Sequence, residues 1–255
     1  MYFYTQNNTW KTVLVKGISI YYQPTLDGGG MDMGQDLIPI AKELFGTVDH
    51  VCEFASGPGF VGFSFLAEGL CRKLTLIDVN PDAIKACKKT IDANGLNNRV
   101  TVLLSDGLKD VPNSAKWDLV ISNPPHINGS ADEYKSDIIN IDPGWKIHKE
   151  FYAKISKHLV TNGSILFSEN AVGSSPKLWK KLIEKNKLSF KRIIWYEPKI
   201  YQRFIRCLQM SYKGAFIHLA KYFLYHFIIA VLPQYEARLK NKIYPYYFVF
   251  SQKNG

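Results

Sequence analysis

Paired cysteines, metal-ligand clusters and an uninterrupted membrane-length apolar run are all missing from this sequence. The four cysteines (Cys52, Cys71, Cys87 and Cys207) form no CxxC pair and have no zinc-type spacing. That argues against a disulfide framework, implies no metal site, and favours a reduced, cytoplasmic compartment. Residues 1–20 carry Lys11, Lys16 and several asparagines and no apolar h-region, so no signal peptide is expected. The longest apolar run, Ala215 to Leu232, is interrupted by His218, Lys221 and His226, so no transmembrane span is expected. Acidic residues are scarce after Ser175. From Pro176 onward 16 Lys/Arg face only Glu184, Glu197 and Glu236, a balance of +13, whereas the chain up to Ser175 carries −3. This asymmetry favours an anionic partner at the basic C-terminal region, with solvated lysine faces as the plainer explanation.

What is present is enough for one sizeable core. The chain has 255 residues, 46% of them hydrophobic, which suits a single α/β domain over 1–255 with appendages. Lys11 to Tyr22 alternates apolar and polar residues and predicts a hairpin turning at Lys16-Gly17. The glycine-rich stretch Pro24 to Gly34 follows, so 1–34 reads as an N-terminal hairpin plus a loop able to close over a ligand. Helical spacing resumes from Gln35 to Phe45.

The segment Val51 to Gly59 (VCEFASGPG) is an apolar strand closing on Glu53 and turning through Gly57 and Gly59 into an apolar helix. This strand–glycine loop–helix order opens doubly wound nucleotide sites, where the missing Cβ atoms let backbone approach a ligand. A second strand, Lys73 to Asp78, ends in an acid placed to accept hydrogen bonds from ribose hydroxyls. A helix from Asn80 to Asn94 and a strand Val100 to Leu104 lead to Ser105-Asp106-Gly107, whose acid could take an adenine amine. The strand Trp117 to Ser122 runs into Asn123-Pro124-Pro125-His126, where two prolines stiffen the backbone beside an amide suited to a planar nitrogen. A helix from Lys146 to Leu159, a strand Ser164 to Glu169, a helix Lys177 to Lys187 and a strand Phe190 to Tyr196 follow. A final strand, Tyr244 to Gln252, comes after an unusually long connection, 199–243, expected to be a helical cap over the substrate side.

These pieces, in this order, resemble the class I S-adenosylmethionine-dependent methyltransferases over roughly residues 20–196 plus the last strand. The Asn-Pro-Pro tripeptide is similar to that of enzymes methylating exocyclic base amines or the glutamine amide of release factors, the HemK/PrmC-like and small-methyltransferase group. Asp142-Pro143-Gly144-Trp145 also looks like a segment of the glutamine subgroup. Two departures stand out: the fourth motif residue is His126 in place of an aromatic ring, and only about 50 residues precede the glycine loop. The resemblance implies a Rossmann-like, doubly wound, mostly parallel seven-stranded sheet with an antiparallel last strand. It implies S-adenosyl-L-methionine as cofactor, held by Glu53, Ala55, Gly57, Gly59, Asp78, Val79, Asp106, Gly107 and Asn123. Asn123, Pro124, Pro125 and His126 would be the catalytic residues, and Asp27, Trp145 and His148 are candidate substrate contacts.

The implied reaction is N-methylation of a planar or amine nitrogen in a small molecule, protein or RNA. An RNA base-amine methyltransferase using the basic C-terminal region is the first alternative. A non-catalytic cofactor-binding platform, or another use of the same cofactor, is the second. A homodimer is left open.

Overall fold

A computed structural model of the chain describes residues 9–171, 173–195 and 246–255. The cap expected over 199–243 lies outside the described residues, as do Cys207 and the expected strand ends at Tyr196 and Tyr244. Lys11–Val15 (β1) and Ile18–Tyr22 (β2) form the expected antiparallel hairpin, with Lys16 and Gly17 both at positive φ in the turn.

The chain then alternates helices and strands. Its elements are α1 (Leu37–Phe45), β3 (Val48–Phe54), α2 (Phe60–Ala67), β4 (Cys71–Asp78), α3 (Pro81–Asn94), β5 (Val100–Leu104) and β6 (Trp117–Ser122). After these come α4 (Ala131–Ser136), α5 (Lys146–Lys154), β7 (Leu159–Asn170), α6 (Pro176–Lys185), β8 (Leu188–Trp195) and β9 (Tyr246–Lys253). The hairpin is strapped to α3: Asn94 Oδ1 accepts the Ser19 N–H and Thr90 Oγ1 the Tyr21 N–H, both at 2.9 Å.

Seven strands form one sheet in the order β5-β4-β3-β6-β7-β9-β8. Pairing is parallel from β5 through β7, and β9 is antiparallel to both of its neighbours. Central parallel strands are covered on both faces, so they are apolar nearly throughout. Alternate residues of one strand therefore enter two different cores. Val51, Leu119, Ile121 and Leu166 face the layer of α1, α2 and α3, while Cys52, Phe54, Val120, Ile165 and Phe167 face α5 and α6.

Two local readings change. The helix expected from Lys146 to Leu159 ends as an α-helix at Lys154 and tightens into a 3-10 turn, Ile155–His158. Leu159 is already paired beside Trp117 in the sheet, so the chain has to leave the helix there. The short α4 had no counterpart in the expected helices.

Sheet order reverses between β3 and β6, because the chain winds outward from β3 through β4 to β5 and then returns to β6. Ligands in open α/β sheets sit at such a switch point, beyond the carboxyl ends of the strands.

Candidate active site

Glu53, Asp78, Ser105 and Asn123 stand at the carboxyl ends of β3, β4, β5 and β6 and line one cleft open to solvent. Ala55, Gly57, Val79, Asp106, Gly107 and Pro125 line it as well. The glycine turn is built on backbone conformations that side chains rarely adopt: Ala55 has φ 51°, Gly57 φ 51° and Gly59 φ 79°. Gly59 starts α2 and does not reach the cleft. A Cβ there would lie 2.8 Å from the Phe63 ring, so its role is packing the helix onto the sheet.

The two inner carboxylates are anchored by backbone amides. Glu53 is 3% exposed, and its Oε2 accepts the Gly62 N–H at 2.7 Å. Burial pushes its carboxyl up to about 8, reinforced by the nearby Asp78 charge and opposed by the amide bonds. Asp78 accepts the Gly57 N–H through Oδ2 (2.7 Å) and the Asn80 N–H through Oδ1 (2.8 Å), which ties the glycine turn to the end of β4. Its carboxyl is also raised, by burial, with those amide bonds acting the other way. Each carboxylate oxygen offers two lone-pair sites, so both retain acceptor capacity. Asp106 stands at the exposed rim, ion-paired with Lys109.

Asn123 carries the most telling geometry. Its Nδ2 donates to the Gly28 carbonyl at 3.0 Å, while its Oδ1 is buried with no hydrogen-bond partner among the described residues. Pro124 is buried behind it, and Pro125 faces the cleft. His126 is half-buried, its ring edge toward Tyr246 at 6.1 Å between centroids. Burial and then the charge of His148 push the His126 imidazole down to about 4, and its Nδ1 has no partner among the described residues.

The three candidate substrate contacts do not reach the cleft wall. The Asp27 carboxylate turns back to accept the Gly29 N–H at 3.0 Å, although its neighbours Leu26 and Gly28 line the cleft. Trp145 and His148 belong to the layer beneath. The Trp145 ring packs edge-on against Trp179 at 4.9 Å, and His148 stacks on Trp179 at 4.5 Å. His148 is fully enclosed between Asp142 Oδ2 (2.6 Å from Nδ1) and Glu169 Oε1 (3.0 Å from Nε2). Burial opposes a charge there, but the two carboxylates outweigh it and hold the imidazole up at about 9. His148 thus cements the segment that carries Asp142, whose own N–H bonds the carbonyl of Ile127 next to the Asn-Pro-Pro-His turn (2.8 Å).

Sequence reasoning missed the far wall of the cleft: Tyr134, Ile138 and Ile139, carried by α4 and its exit. A signal existed. Ser130 and Glu133 form a reciprocal capping box (Ser130 N–H to Glu133 Oε2 2.6 Å; Glu133 N–H to Ser130 Oγ 3.2 Å), a pattern readable as Ser-x-x-Glu. Among the described residues no helix is long and apolar enough to cross a membrane.

The methyltransferase small domain model matches residues 28–192. The release factor glutamine methyltransferase of Aquifex aeolicus is 29% identical over 160 residues, covering 59% of this chain and 54% of that protein. The ribosomal RNA small subunit methyltransferase C of Haemophilus influenzae (strain PittGG) is 26% identical over 183 residues, covering 68% and 49%. The chain therefore spans about half the length of these curated relatives. Among solved structures, a T. thermophilus 16S rRNA N2 G1207 methyltransferase in complex with AdoMet and guanosine superposes with a TM-score of 0.59. It is 14% identical and is matched over 96% of this chain and 50% of its own. The chain belongs to the methyltransferase small domain family, and its sheet is the Rossmann-like one of the S-adenosylmethionine-dependent methyltransferases.

Proposed function

We propose that this chain methylates a planar nitrogen, in a protein or an RNA, with S-adenosylmethionine as methyl donor. The observation that carries the reading is Asn123, a residue of the cleft wall whose buried Oδ1 has no partner among the described residues. Leaving such an atom unpaired costs about 1–3 kcal/mol, and an N–H from the methyl acceptor would relieve that cost. The relatives named above include one protein-glutamine enzyme and one ribosomal RNA enzyme. Both activities are compatible with a planar nitrogen target.

The residues present fit the cofactor. The turn at 53–59 would hold its methionine end, Asp78 its ribose hydroxyls, and Asp106 with Gly107 its adenine. When bound, S-adenosylmethionine supplies a methyl group activated by a sulfonium. The chain's own work is then positioning and electrostatics. Asn123 Oδ1 accepts the target N–H and orients the nitrogen. Pro124 and Pro125 keep that turn rigid. With its imidazole pushed down to about 4, His126 is neutral at pH 7 and too weak a base to hold a departing proton, which passes to water in the solvent-open cleft.

Incubation with labelled S-adenosylmethionine and separate total RNA, total protein and metabolite fractions of a cell extract tests this reading. Label is expected on nitrogen in the RNA or protein fraction, and Asn123→Ala should abolish most of the transfer while retaining cofactor binding. Cofactor binding without transfer to any fraction would favour a non-catalytic platform.

A second reading narrows the target to RNA, supported by the net charge of +13 from Pro176 onward. Contacts to six or more phosphates would weaken binding by about a thousandfold or more between 50 and 200 mM salt, whereas a neutral protein segment would respond little.

A further inference from the structure

We propose that Gly28 is a positioning residue for methyl transfer, its carbonyl fixing which end of the Asn123 amide faces the methyl acceptor. This rests on the role given above to Asn123 Oδ1. The two ends of an asparagine amide are nearly the same size, and only the hydrogen-bond network decides which way it points. Here the decision is forced. A backbone carbonyl can only accept, and the Gly28 oxygen lies 3.0 Å from the amide. Nδ2 must therefore turn toward Gly28, which leaves Oδ1 as the unpartnered end of an amide whose residue lines the cleft. A flipped amide would set two acceptors face to face and present a donor to the incoming N–H.

The partner comes from 95 residues earlier in the chain, so the N-terminal loop itself completes the catalytic turn. Its approach depends on missing side chains. A Cβ at Gly28 would lie 2.5 Å from Ile139 Cγ2, and one at Gly29 would come within 3.6 Å of Asn123 Nδ2. Gly28 is not among the glycines with positive φ, so its requirement is room and not an unusual backbone conformation. Ile139, a β-branched residue stiff at χ1, has little freedom to turn away. Gln35 holds the loop from the other side, donating from Nε2 to the Gly30 carbonyl at 2.7 Å.

Alanine at position 28 would push the loop off Ile139 and pull the carbonyl from Asn123. The test compares wild type, Gly28→Ala and the double variant Gly28→Ala/Ile139→Ala, in which the crowding atom is gone. Three readouts are taken: transfer of label from S-adenosylmethionine to total RNA and total protein, calorimetric binding of S-adenosylhomocysteine, and the side-chain amide NMR resonances of Asn123, assigned by their loss in Asn123→Ala. In Gly28→Ala turnover should fall by about a hundredfold, the scale of a misplacement near 1 Å. S-adenosylhomocysteine affinity should change far less, and the Asn123 amide resonances should shift. The double variant should regain the wild-type amide resonances of Asn123.

Full transfer by Gly28→Ala, or lost transfer with unmoved Asn123 resonances, would overturn the proposal while leaving the enzyme reading intact. No transfer by wild type to either fraction would refute the protein-or-RNA target proposed above and the role of Gly28 with it.

Discussion

Asp78 receives one N–H from the glycine turn and one from its own strand end, so it organises the turn as well as facing the cleft. Asp78→Ala should therefore act twice. It removes a charged acceptor from the ligand, a loss of about 1.5–3 kcal/mol per bond, and it frees Gly57. Calorimetry with S-adenosylhomocysteine should show binding weakened by at least tenfold, and unchanged affinity would contradict the assignment of β4 to the cofactor. His126 invites a different substitution. An imidazole that stays neutral down to about pH 4 offers mainly its ring plane and one unprotonated nitrogen. His126→Phe retains the plane and deletes the nitrogen, so preserved transfer to the labelled fraction indicates stacking and lost transfer indicates hydrogen bonding.

At the scale of elements, α2 approaches the sheet because Gly62 carries no side chain. A Cβ there would meet Glu53 Oε2 at 2.7 Å, Leu76 Cδ2 at 2.8 Å and Leu74 Cδ1 at 2.9 Å. Gly62→Ala should cost about 1–3 kcal/mol through overpacking and lower cofactor affinity by tilting Glu53; a urea titration and calorimetry would read the two effects. The strand–turn–helix order around Glu53, Asp78 and Asn123 was legible in sequence because each strand is a short apolar run ending in a polar residue before a turn former. That much depends on local chemistry alone. The Gly28–Asn123 bond was not legible, since it joins segments distant in the chain, nor was the burial of Trp145 and His148. A tryptophan near a helix start is more often packing than pocket wall, but what it packs on shows only once the opposing Trp179 and Glu169 are in place. The α4 wall lay between, marked by its capping box but too short for any apolar period to reveal.

For the whole molecule, the buried Asp142–His148–Glu169 cluster couples fold stability to pH. The folded state holds a proton on His148 up to about pH 9, against an ordinary value of 6.5. Its stabilisation is complete below pH 6.5 and lost as pH rises through about 9. Glu53, raised from 4.5 to about 8, likewise makes the folded state lose stability as pH climbs between those values. The wild-type melting temperature should therefore fall from pH 6.5 to 9. His148→Gln should start lower and lack the His148 part of that slope; parallel pH profiles for the two proteins would refute this account of the cluster. The sheet order also has a consequence in time. Among the described residues β8 pairs only with β9, and β9 alone joins it to β7. A ribosome making this chain thus releases β8 long before β9 exists, and β7 waits with an open edge from Ser164 to Asn170. A chain ending at Trp195 would keep that edge unpaired, the kind of template on which strands of neighbouring molecules assemble. Light scattering should find such a fragment self-associating where the full chain does not. The catalytic turn inherits the same delay, for Tyr246, which meets the His126 ring, arrives with the strand that closes the sheet. On the function proposed above, methyl transfer is then a property the nascent chain acquires only as β9 is threaded between two already waiting strands.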